Sequence, residues 1–250
     1  MLSNLSLHPK IDYSFTIKIF SGLFIAIFIL LFFQTSHAET AVENELESKP
    51  FSRDTVIENA RQLAEQPFKK PASAPEELKN LDYSTYRQIN FQQNAAIWGG
   101  TPTRFSVQLF APGFLYQDLI DIDVVENGES FPVELSENSF SVPNDDIGKK
   151  IAEVGKYAGL RLHYPLNSED HHDEFIVFQG ASYFRIVSQG QLYGISARGL
   201  AIDVAQPTGE EFPLFKKFWI ERPSSKQNAI VVHALLDSKS ITGAYRFGIH

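Results

Sequence analysis

The chain has 250 residues, 43% of them hydrophobic, with 30 acidic against 22 basic side chains and a formal net charge of −8. This acidic balance leaves no basic patch to release counterions and excludes nucleic acid as a natural partner. No cysteine is present, which excludes a disulfide framework and thiolate metal sites.

In chain order, Lys10 and Lys18 precede an apolar run from Ile19 to Phe33, and Ser36-His37-Ala38 has the small-x-small pattern of a signal peptidase site. Residues 1–38 therefore read as a secretory signal. The run is shorter than the roughly 20 apolar residues of a spanning helix. Phe15 and Ile17 would extend it in a retained anchor, the second reading, which the long leading region with its Asp12 keeps open. From Glu39 to Pro50 the sequence is polar, acidic and without apolar period, and is expected to be a disordered leader. Thr55 with Glu58 fits a capping box, and Ile57, Ala60 and Ala64 share a helical face that Pro67 closes. After a Pro71–Pro75 linker, a short helical stretch is expected over Glu76–Asn80.

Beyond Trp98-Gly99-Gly100 the apolar period falls to 2, the spacing of strands. Phe105, Val107 and Leu109 alternate with polar neighbours, as do Ile120, Ile122 and Val124, and Leu160, Leu162 and Tyr164; Ile230, Val232 and Ala234 fall at the same spacing. Turn signals stand at Pro112-Gly113, Asn127-Gly128 and Pro143-Asn144, and one further helix fits Ile147–Lys156. The pattern predicts a mainly β protein, a large antiparallel β-sandwich with a short N-terminal helical segment.

The richest stretch is YGISARGLAID, Tyr193 to Asp203, followed by GEEFPLFKKFWIERP, Gly209 to Pro223. It gathers aromatics, carboxylates and guanidinium groups beside glycines, the blend a sugar cleft needs: aromatic faces for pyranose rings, charged groups for hydroxyls. The longer run Gly180–Pro223 resembles the periplasmic glucan biosynthesis family, the G and D proteins of osmoregulated periplasmic glucans, and the G type more. Weaker matches lie in YRQINF (Tyr86–Phe91) with Trp98, in LHYPLNSEDHHDE (Leu162–Glu174) and in ALLDSKSITGAYRF (Ala234–Phe247). The resemblance implies a periplasmic protein acting on or binding a β-1,2-glucan backbone, on a galactose mutarotase-like supersandwich. It also implies that an inner-membrane glucan synthase is a possible partner. Family members continue past the alternating Tyr245, Phe247 and Ile249 into more sandwich and an immunoglobulin-like domain. Residues 51–250 are therefore expected to be the front part of an incomplete sandwich.

The candidate substrate-binding set is Tyr183, Arg185, Tyr193, Ser196, Arg198, Glu210, Glu211, Trp219 and Glu221. Each also has a plainer reading. Arg198, between Ala197 and Gly199, either binds sugar or pairs with Asp203, Glu210 or Glu211. Tyr183, Tyr193 and Trp219 either stack on glucose or fill the core, and strand alternation turns Trp219 away from Phe218 and Ile220. No catalytic residue is assigned, because the resemblance places the family's acid and base aspartates beyond residue 250. A noncatalytic carbohydrate-binding component, a scaffold component, or an inactive truncated remnant is the competing reading. His163, His171, His172 and Asp173 suggest a metal site, but the adjacent His171 and His172 in NSEDHHDE read as a hydrophilic loop tip and no third ligand stands at zinc-site spacing. No metal and no cofactor is expected.

Overall fold

The computed structural model describes residues 48–135 and 137–250. The signal segment and most of the expected leader lie outside the described residues. The leader's last residues do not fit a disordered reading: Lys49–Pro50 (β1) pair antiparallel with Glu129–Pro132 (β5). Phe51 anchors this strand. Its amide donates to the Gly128 carbonyl at 2.7 Å, and its ring packs 5.9 Å from Trp219 and 5.3 Å from His233.

Helix α1, Arg53–Ala64, starts three residues before the expected cap. Ser52 is the N-cap and Thr55 occupies N3, its hydroxyl accepting from the Ser52 amide at 3.0 Å, so the box is Ser52/Thr55 and not Thr55/Glu58. The helix accordingly buries Val56 and Ala60 and leaves Ile57 exposed. Short helices Glu76–Lys79 (α2) and Tyr83–Tyr86 (α3) follow, and then α4, Asp145–Val154. Helix α4 begins earlier than expected because Asn144 accepts from the Ile147 amide at 3.0 Å; it ends at Gly155, whose φ of 62° suits glycine.

Two sheets carry the fold. One has five antiparallel strands in the order β10–β9–β8–β7–β3: Ile195–Arg198 (β10), Tyr183–Ile186 (β9), His171–Gln179 (β8), Gly159–Ser168 (β7) and Ser106–Phe110 (β3). The other has six in the order β1–β5–β4–β11–β12–β13, with Asp121–Glu126 (β4), Leu214–Glu221 (β11), Ile230–Asp237 (β12) and Thr242–Ile249 (β13). A small pair joins Asn90–Phe91 (β2) to Phe140–Ser141 (β6). The six-stranded sheet departs from the antiparallel expectation at one place, where β4 and β11 run parallel, Ile122 facing Phe218. Residues 127–213 separate those strands, room enough for the crossover a parallel pair requires.

The core lies between the sheets. Val107, Leu109, Leu160, Leu162, Ile176 and Phe178 point inward from the five-stranded sheet, and Phe218, Ile220, Val232, Ala234 and Leu236 from the other. Phe178 touches both layers, its ring 5.2 Å from Phe218 and 5.0 Å from Phe247. Strand alternation sends the intervening residues outward. The six-stranded sheet's outer side is occupied by a second apolar cluster of Val56, Val125 and Trp219 with Phe51. The five-stranded sheet's outer side carries polar residues.

Candidate functional site

On that outer side the register aligns a row across the strands: Gln108 on β3 faces Arg161 on β7, which faces Val177 on β8, then Arg185 on β9 and Ser196 on β10. Arg161 stands between Leu160 and Leu162, both fully buried, and Gln108 between the buried Val107 and Leu109. Arg161, Val177, Arg185 and Ser196 of this row line a groove of about 490 Å³ together with Phe110, Tyr116, Glu174, Gln179, Tyr183 and Phe184. This volume lies within the roughly 300–1,000 Å³ of small-molecule sites.

Arg161 is the centre of the groove. Its guanidinium donates to Glu174 at 3.0 Å and to Gln108 at 2.7 Å, and lies 5.3 Å from the centre of the Phe110 ring. The three contacts hold the guanidinium in one place in the groove lining, a cationic group already positioned before any ligand arrives. Glu174 reaches this face through a bulge in β8. Leu162 pairs with Ile176 but His163 pairs with Glu174, leaving Phe175 as the extra residue and burying it. Aromatic rings close one end: Tyr83 and Phe114, Phe114 and Tyr86, and Tyr86 and Tyr116 follow one another at 5.9–6.0 Å. Burial holds the Tyr86 hydroxyl in its protonated form, its pKa pushed far up, and it donates to the Ala111 carbonyl at 2.9 Å.

The structure brings together part of the expected set. Tyr183, Arg185 and Ser196 line the groove. Arg198 lies at its margin, opposite Tyr183 in the ladder, 5.4 Å from the Tyr183 ring centre and paired with Glu210. With 29% of its side chain exposed, Arg198 is paired but not enclosed, which is the pairing reading without full burial. Tyr193 is 88% exposed in the β9–β10 hairpin beside Leu192, away from the groove walls.

Three expected residues belong elsewhere. Glu211 accepts from the amide and hydroxyl of Ser240 at 2.9 and 2.7 Å, and hydroxyls of Ser238 and Ser240 hold its carboxyl below the usual range; it staples the turn before β13. Trp219 is 3% exposed, on the face opposite Phe218 and Ile220 as alternation requires, but that face is covered by Phe51 and Val56, so no ring face is free for a sugar. Glu221, two residues on, accepts from or is bonded to His233 Nε2 at 2.6 Å on the same covered side. Conversely, Gln108, Phe110, Tyr116, Arg161, Glu174 and Gln179 escaped the sequence reading. Their signal was the isolated polar residue in an alternating apolar strand, as at Gln108 and Arg161, and it becomes a site only when pairing sets five strands side by side.

Comparison with known proteins agrees with this arrangement of motifs. Residues 51–250 match the profile of the family described as periplasmic glucan biosynthesis protein, MdoG. The chain belongs to this family. It is 69% identical over 209 residues to glucans biosynthesis protein G 2 of Shewanella oneidensis, an alignment covering 84% of this chain and 40% of that protein. Glucans biosynthesis protein G of Vibrio cholerae is 48% identical over 210 residues (80% and 37%), and that of Bradyrhizobium diazoefficiens 48% over 201 residues (80% and 40%). The chain thus spans about two-fifths of the length of these relatives. The mainly β architecture and the glucan biosynthesis resemblance of the Gly180–Pro223 motif both stand. Among the described residues no helix is long and apolar enough to cross a membrane.

Proposed function

We propose that this chain binds the glucose backbone of a periplasmic β-glucan, β-1,2-linked, along the outer face of the five-stranded sheet. The observation that carries the reading is Arg161, clamped by Glu174, Gln108 and Phe110 within a groove that also presents Tyr183, Arg185 and Ser196. Oriented donors beside aromatic faces suit a neutral polyhydroxylated ligand, whose hydroxyls take the hydrogen bonds and whose ring faces take the apolar contact. Family membership supports the biological setting, periplasmic glucan biosynthesis, and an inner-membrane synthase as the source of the nascent chain is part of the proposal.

The role proposed is binding and not bond cleavage. Glycoside hydrolysis uses an acid and a second carboxylate flanking the bond. Here Glu174 is engaged by Arg161, Glu210 by Arg198 and Glu211 by Ser240, so none is a free carboxyl aimed along the groove. The test is calorimetric titration of the 250-residue chain with linear β-1,2-gluco-oligosaccharides, with reducing sugar assayed in parallel. Saturable heat that Arg161→Ala weakens by about tenfold, with no sugar released, is the expected result. Absence of heat at millimolar oligosaccharide sinks the binding reading, and steady release of reducing sugar replaces it with hydrolysis.

A further inference from the structure

A second groove, of about 960 Å³, opens on the same face beside the first. Its walls are the turn from Trp98 to Thr103 on one side and Ser106, Gln108, His163 and His172 on the other, with Gln93 and Asn94 at its end. Three observations single it out. Its lining holds amides, hydroxyls and imidazoles but no carboxylate, lysine or arginine, which favours an uncharged, hydroxyl-rich ligand over an ion. His163 Nδ1 is buried without a hydrogen-bond partner, a polar atom that ordinarily demands one. Trp98, which forms the turn, has a φ of 61°, an uncommon conformation for so bulky a residue, and the fold maintains it at the groove wall.

The two grooves are not independent. Gln108 lines the second while its Oε1 accepts from Arg161 in the first, and Ser106 pairs with His163 on the row next to the one that joins Gln108 to Arg161. We infer that the Trp98 groove is a second glycan subsite, and that one glucan chain passes from the Arg161 groove over Gln108 into it. The inference rests on the glucan-binding reading above and adds to it a length requirement: this face selects an oligosaccharide long enough to fill both grooves. The ligand is a neutral glycosyl chain, not a nucleotide, lipid headgroup or peptide.

The chain contains only two tryptophans, both largely buried: Trp98, 8% exposed and lining this groove, and Trp219, 3% exposed on the other sheet, so the test can be read residue by residue. Labelling with 5-fluorotryptophan gives one ¹⁹F resonance for each, assigned through Trp219→Phe or, should that variant not fold, Trp98→Phe. A β-1,2-linked glucohexaose is expected to move the Trp98 resonance and leave that of Trp219 in place. Calorimetry is expected to show affinity at least about tenfold tighter for the hexasaccharide than for the disaccharide, a gain that Ser106→Trp removes by filling the groove. Hexasaccharide heat that depends on Arg161 while the Trp98 resonance stays still overturns the second subsite and leaves the first standing. No heat at any length overturns both. Equal affinity for disaccharide and hexasaccharide overturns the length requirement.

Discussion

The outer faces of the two sheets use the same chemistry to opposite ends. On the six-stranded sheet Lys217 lies 4.9 Å from the Trp219 ring and ion-pairs with Asp123 at 2.8 Å, but Phe51 and α1 cover the cluster and Trp219 is buried. On the five-stranded sheet Arg161 lies over Phe110 and Arg198 over Tyr183, each with a carboxylate partner, and Tyr183 remains 37% exposed. A cation over an aromatic ring beside an acid is therefore no mark of a site. What distinguishes the five-stranded sheet's outer face is that the described chain borders it with open grooves and does not cover it with a packed apolar cluster.

The sharpest way to break the comparison is to truncate one ring on each face. Trp219→Ala is expected to cost about 3–5 kcal/mol of stability, the range for a buried aromatic, visible as a lowered urea midpoint. Tyr183→Ala should shift that midpoint little, since partly exposed positions usually change stability by less than about 0.5 kcal/mol, while weakening oligosaccharide binding. If Tyr183→Ala unfolds the protein as readily as Trp219→Ala, the open face is structural and the contrast fails.

A pH series sharpens the contrast within the outer face of the five-stranded sheet. Burial, reinforced by the Arg161 charge, lowers the His163 pKa from its ordinary 6.5 to about 4. The unfolded chain therefore takes up this proton first, so stability is complete above pH 6.5 and declines as pH falls from about 6.5 toward 4. His163→Asn is expected to flatten the dependence in that window, read from urea midpoints at pH 7 and 4.5; an unchanged slope would show that His163 does not contribute. The smallest effect belongs to Glu211. Glu211→Gln should lower stability by less than about 1 kcal/mol, the worth of an exposed hydrogen-bonded turn, and leave glucan affinity unchanged.

The sequence was most legible where apolar period alone decides. Val107 and Leu109, Leu160 and Leu162, and Val232 and Ala234 all point into the core as their alternation requires. Local caps were less legible, because Ser52 and Thr55 are both competent capping residues and only tertiary packing of Val56 settles which one opens α1. The parallel β4–β11 pair left no local trace at all, since nothing near Asp121 reports that Lys217 will lie beside it. The site divided along the same line. Tyr183, Arg185 and Ser196 fall in one hairpin and were found together, whereas Gln108, Arg161 and Glu174 come from three strands whose register no short window contains. Trp219 and Glu221 misled because alternation gives two faces and does not say which one another element will cover.

The extra residue in β8 works as a change of phase. Without it, strict alternation counted back from Phe178 and Ile176 would turn Glu174 inward and Phe175 toward solvent; with it, Phe175 joins Phe105 and Tyr164 in the interior while Glu174 stays beside Arg161. The strand is in effect two half-strands with separate parity, one keyed to the core from Ile176 onward and one keyed to the groove up to Glu174. Insertions and deletions in this gene segment should be filtered accordingly. Losing Phe175 keeps the parity and forfeits an aromatic, whereas adding or losing a single residue between Ile176 and Gln179 inverts a whole half-strand.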